Sequence, residues 1–150
     1  MSEDRSAQPQ PQPCIVVRLN HFDPIWRRCW DRPILDRGSI AVPYRKIEEA
    51  CIEDGIESCS DGRSCFMVEA SWVLRHYLER HPEHAPVLRR LAAEGRFELL
   101  GSGENIVDTN LIQGELICRN LVLGTLWGEQ ALGRRPDSGW VQDTFGTSAQ

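Results

Sequence analysis

Cys14-Ile15-Val16-Val17-Arg18-Leu19, running into Asn20-His21-Phe22-Asp23-Pro24-Ile25-Trp26, is the stretch whose reading decides the fold. Its β-branched and apolar residues, interrupted only by Arg18, suit a strand buried on both faces, the pattern of a parallel sheet. Where the run ends, a histidine and a carboxylate stand two residues apart, so a nitrogen and an oxygen donor can face one point. The far end of the chain repeats the arrangement: Asp137-Ser138-Gly139-Trp140-Val141 reads as a strand, and Gln142-Asp143-Thr144-Phe145-Gly146 follows it. In parallel α/β folds the residues just past the carboxyl ends of strands gather at one mouth. His21, Asp23 and Asp143 are therefore candidates for one site. Borderline and hard divalent ions accept such mixed donors, zinc being the commonest case. On spacing alone, His-x-Asp reads more readily as a solvated turn or as an Asp capping the next helix.

Between these ends the pattern alternates. Residues 31–43, with Pro33, Gly38 and Pro43, read as loop, and 44–54 as a helix with Ile47, Ala50 and Cys51 on one face. Residues 55–63 are polar and turn-rich. A second strand at 65–68 leads into Glu69, and Val73, Leu74, Tyr77 and Leu78 mark a helix over 70–80. Pro82 opens another helix, striped by Val87, Leu88, Leu91 and Ala92, which Gly95 terminates. A third strand follows at 96–100. In the loop behind it Glu104, Asp108 and Asn110 are candidates for substrate contact or for capping. The longest helical pattern, 111–132, has Leu116, Ile117, Leu121, Gly124 and Trp127 as its buried side and Gly133 as its stop. Residues 137–141 are the fourth strand. Alternating strands and helices predict right-handed βαβ units, and a closed barrel of such units needs about 250 residues. The expected fold is α/β, a parallel-stranded incomplete (β/α) barrel over residues 14–150. Residues 1–13, with proline and glutamine alternating, read as a disordered polar tail.

The composition, 41% hydrophobic and 26% charged, is that of an ordinary globular chain. A net charge of −5 and the absence of a basic run argue against a nucleic-acid partner. No apolar stretch approaches membrane-helix length and the start lacks a signal-peptide pattern, so no membrane partner and a cytoplasmic location are expected. The six cysteines, without C-x-x-C spacing, read as reduced thiols, with Cys14, Cys65 and Cys118 as small buried residues. His76, His81 and His84 lack helical metal-pair spacing and read as surface or capping residues.

Three segments carry a resemblance. His21-Phe22-Asp23-Pro24-Ile25-Trp26, then Glu94-Gly95-Arg96-Phe97-Glu98-Leu99-Leu100-Gly101-Ser102-Gly103, then Gly139-Trp140-Val141-Gln142-Asp143-Thr144-Phe145-Gly146-Thr147-Ser148-Ala149-Gln150 resemble, in order, the amino-terminal catalytic domain of the family 38 glycoside hydrolases, the retaining α-mannosidases. The resemblance implies the N-terminal portion of a seven-stranded glycoside hydrolase/deacetylase-like barrel. It implies a zinc-dependent hydrolase acting on carbohydrate with terminal α-mannose through a covalent glycosyl-enzyme. By the same resemblance His21 and Asp23 hold one zinc ion, other divalent metals being open, and Asp143 is both a further ligand and the nucleophile. Trp26 becomes the platform on which the sugar stacks, and Phe145 a wall of the site. Two positions depart from the family pattern: Leu19 stands where a histidine is common, and Ile25 where a glycine is. The family's acid/base aspartate and last zinc histidine have no counterpart in the sequence, so these residues alone are expected to be inactive and to bind zinc weakly at most. Oligomerisation of a full-length chain stays open. Two alternatives are a metal-dependent polysaccharide deacetylase-like enzyme, which would want a further His-x-x-x-His pair, and a non-catalytic or vestigial sugar-binding domain.

Overall fold

The computed structural model describes residues 18–23, 28–62, 64–101 and 103–147. The expected first strand lies there only in part, as β1 (Arg18–Asn20). A short parallel sheet in the order β1-β4-β5, with β4 at Phe66–Val68 and β5 at Phe97–Leu99, forms the centre of the α/β fold. Arg18 pairs with Phe66 and Asn20 with Val68, while Phe66 pairs with Phe97 and Val68 with Leu99. Side chains alternate across a strand, so Phe66, Val68, Phe97 and Leu99 share one face and are buried together. Helices α1 (Tyr44–Ser60), α2 (Ser71–Arg80), α3 (Ala85–Ala93) and α4 (Gly114–Leu132) connect and cover the strands. Ile52 of α1, Val73, Leu74 and Tyr77 of α2, and Leu88 and Leu91 of α3 complete the core. The Arg18 guanidinium pairs with Asp54 and donates to the Ser58 hydroxyl at 2.7 Å, tying β1 to α1.

Four expectations about the elements are corrected. Residues 34–41 are not loop but an antiparallel hairpin, β2 (Ile34–Asp36) and β3 (Ser39–Ala41). Its two turn residues, Arg37 (φ 48°) and Gly38 (φ 83°), are both left-handed, as a tight hairpin turn requires. Helix α1 does not stop at residue 54. It runs on through Gly55, where an added Cβ would meet the Phe66 ring at 2.5 Å, so this glycine is a packing position and not a breaker. The buried side of α1 is Glu48, Ile52, Gly55 and Cys59, one position away from the expected stripe.

The third correction concerns α4. Leu116 and Leu121 are exposed, and the buried stripe is Gly124, Gly128 and Leu132, flanked by half-buried Trp127. Small residues win there because the helix meets backbone: a Cβ on Gly124 would lie 2.1 Å from the Gly103 carbonyl carbon. Gly133 does end the helix, in the left-handed conformation. Fourth, residues 137–141 form no strand. They run beside the loop after β5 through the Gly101 N–H bond to the Ser138 carbonyl, at 2.6 Å, and the Ser138 hydroxyl bond to Glu98.

Cys65 and Cys118 are exposed, not buried, Cys118 lying on the outer side of α4. The five described cysteines are free thiols, while Cys14 and the 1–13 segment lie outside the described residues. His81 and His84 stack on buried Tyr77, with ring centroids 4.7 and 5.7 Å away, and His76 meets Trp72 edge-on at 4.6 Å. His81 is also the C-cap residue of α2 and His84 the N-cap residue of α3, so these two stand at helix ends as expected and pack on Tyr77 besides. Trp30 packs on Trp72 at 4.8 Å from an irregular segment. No helix among the described residues is long and apolar enough to cross a membrane.

Candidate metal centre

The parallel ladder builds the site. Because Asn20 lies opposite Val68, the next residues along, His21 and Glu69, emerge side by side at the carboxyl ends of β1 and β4. Two hydrogen bonds fix this neighbourhood: Glu69 Oε1 accepts the Phe22 backbone N–H at 2.8 Å, and Glu69 Oε2 lies 3.0 Å from His21 Nδ1. Asp23 follows two residues on. Asp143 arrives from the irregular segment after Ser138, at a left-handed φ of 51°. Such a φ is uncommon outside glycine, although aspartate tolerates it better than most residues. The turn aims its carboxylate at the end of β1.

His21 Nε2 sits 3.8 Å from Asp23 Oδ1 and 3.6 Å from Asp143 Oδ2, and one donor atom from each residue lies within 4.8 Å of the other two. Zinc–nitrogen and zinc–oxygen bonds of about 2.0–2.2 Å bring donors roughly 3–4 Å apart. Both aspartate side chains are more than half exposed, so small rotations close the difference. His21 Nε2 is buried and has no hydrogen-bond partner among the described residues. A lone imidazole nitrogen between two carboxylates is an arrangement a divalent cation satisfies, so these residues fit the ion the sequence suggests. Burial opposes the charged ring, yet the Glu69 hydrogen bond and the charges of Glu69, Asp23 and Asp143 outweigh it and raise the His21 pKa.

These residues open onto a cavity of about 270 Å³, lined further by Val73, Asn105, Ile106, Asp108 and Phe145. Phe145 is 87% exposed and stands at its rim. Trp26, the expected sugar platform, lies outside the described residues. Of the three polar candidates in the loop after β5, Asp108 lines the cavity while its Oδ1 accepts the Asn110 N–H at 3.0 Å. Glu104 has a different task. Its carboxylate accepts from the Ser71 hydroxyl at 2.9 Å and pairs with Arg75, and its carbonyl accepts the Trp72 N–H, which fixes the start of α2.

Sequence reasoning passed over Glu69, although a signal existed. A charged residue directly after a buried strand, at the position level with His21, is 1% exposed and belongs to the site. It also missed Glu48, fully buried on α1 with neither carboxyl oxygen hydrogen-bonded among the described residues. Burial and the nearby Glu69 charge push its pKa up to about 8.

Comparison with known proteins gives the family. The family model described as glycosyl hydrolases family 38 N-terminal domain matches residues 13–150. Alpha-mannosidase 2 of Arabidopsis thaliana is 24% identical over 136 residues, which is 89% of this chain but only 11% of the relative. With strand-end donors gathered at one mouth and the family match spanning nearly every residue, the chain belongs to glycoside hydrolase family 38, as its N-terminal domain.

Proposed function

We propose that the chain carries the cation-holding, nucleophile-bearing part of a retaining α-mannosidase-like active site. The observation that carries the reading is the convergence of His21, Asp23 and Asp143 beside an unpartnered His21 Nε2. Those three residues would hold one divalent ion, zinc by donor type. When bound, the ion would supply positive charge that orients sugar hydroxyls and offsets developing charge.

The remaining chemistry belongs to the side chains. Asp143 reaches into the cavity with an exposed carboxylate, as a nucleophile must. Its oxygen attacks the anomeric carbon, the glycosidic bond breaks, and the leaving oxygen takes a proton from a general acid, giving a glycosyl ester. Water then hydrolyses that ester, and the acid's conjugate base accepts the proton. In a retaining pair the two carboxyl groups stand about 5–5.5 Å apart; the acid is not assigned to a residue of this chain. Phe145 and Trp26 would offer apolar faces to the C–H side of the ring. The substrate would be a glycan with terminal α-mannose, its hydroxyls met by the carboxylates that line the cavity.

Mechanism-based labelling tests this reading. The catalytic polypeptide that contains these residues is treated with a fluorinated α-mannosyl trap and digested for mass spectrometry. The adduct is expected on the peptide carrying Asp143. An adduct on any other carboxylate removes the nucleophile assignment.

A further inference from the structure

We propose that Glu69 is a positioning residue: it sets the tautomer of His21, with the proton on Nδ1, so that Nε2 offers its lone pair to the cavity. Three observations carry this. The Glu69 side chain is only 2% exposed, and both of its oxygens are engaged, one by the Phe22 backbone N–H and the other by His21 Nδ1. The backbone N–H can only donate, so it anchors the carboxylate and leaves Oε2 directed at the imidazole. Finally, Asp23 and Asp143 stand 3.8 and 3.6 Å from Nε2, beyond hydrogen-bond length, so among the described residues the 3.0 Å contact at Nδ1 is the closer one.

A neutral imidazole carries one N–H. The buried carboxylate, held level with His21 by the parallel register, decides which nitrogen has it. An outer carboxylate of this kind orients a metal-binding histidine and raises its basicity. That consequence rests on the cation reading above, whereas the tautomer is a property of the metal-free chain.

Glu69→Gln makes the idea testable because the amide has only one acceptor atom. Its oxygen must face the Phe22 N–H, which leaves the NH₂ group facing Nδ1. The amide then donates to Nδ1 and the ring proton moves to Nε2. Long-range ¹H–¹⁵N spectra of the metal-free protein, at alkaline pH where the ring is neutral, report this directly. Wild type is expected to show a protonated Nδ1 and a bare Nε2, Glu69→Gln the reverse, and Glu69→Ala a mixture. Backbone amide spectra check that each variant is folded. Zinc affinity, read by competition with a chromophoric chelator, should fall about 10–100-fold in Glu69→Gln. Protonated Nε2 in wild type, or an unchanged tautomer in folded Glu69→Gln, overturns the proposal. Inversion of the tautomer in a protein whose wild type binds no zinc upholds the role of Glu69 and removes the cation reading instead.

Discussion

Replacing Glu48 by glutamine should stabilise the protein at neutral pH and change little at pH 4.5. Glu48 is fully buried, neither carboxyl oxygen has a hydrogen-bond partner among the described residues, and burial together with the Glu69 charge raises its pKa from 4.5 to about 8. A raised carboxyl pKa means that the folded state holds the proton while the unfolded chain releases it. Below pH 4.5 both states are protonated and Glu48 is neutral in effect. Above it the unfolded state gains about 1.4 kcal/mol per pH unit, so by pH 7 the residue costs on the order of 3 kcal/mol, and the loss levels off near pH 8. Glutamine does not ionise and resembles the protonated acid in shape and polarity. Urea unfolding of both proteins across pH 4.5–8 reads the difference. The Glu48→Gln advantage should grow steadily over that window to a few kcal/mol. Two parallel stability profiles would refute the reasoning and mean that Glu48 reaches water or a partner as a charged group.

The neighbouring Glu49 should show the opposite pH signature. Although burial opposes its charge, hydrogen bonds from Lys46, Arg80 and Arg45 hold its pKa down at about 2. The stability it contributes is present above pH 4.5 and is lost as pH falls toward 2, a loss that Glu49→Gln should abolish in acid unfolding curves. Gly124→Ala should destabilise by about 1–3 kcal/mol or more, because the added methyl meets the Gly103–Glu104 backbone, which cannot rotate away; a melting temperature within 2 °C of wild type would contradict this. In the catalytic polypeptide, Asp143→Ala should abolish turnover of aryl α-mannosides, whereas Trp26→Ala should chiefly raise KM, as steady-state kinetics will show.

The convergence of the candidate site is legible in the sequence because strand ends in a parallel sheet are set by register. His21 and Asp23 follow β1 directly, and pattern alone brings them to the mouth. Asp143 was found for a partly mistaken reason, since a left-handed turn and not a fourth strand delivers it. What periodicity could not reveal was tertiary context. Gly55 reads as a stop yet sits within α1 because the Phe66 ring needs its space. The leucines of α4 outrank its glycines on any hydropathy scale, yet Gly124 and Gly128 are buried because backbone and Leu99 approach there. Glu48 and Glu69, hidden by their charge from any search for core positions, are among the most buried side chains.

In the proposed function His21, Asp23 and Asp143 share one divalent cation. Titrating the ¹⁵N-labelled chain with Co²⁺ to millimolar concentration tests it most directly, because paramagnetic shifts and broadening locate even a weakly held ion. The effects should converge on the space between His21 Nε2 and the Asp143 carboxylate, reach Glu69 and Gln142, and disappear in Asp143→Ala. Effects centred elsewhere, or a spectrum that Co²⁺ leaves unchanged, would contradict it.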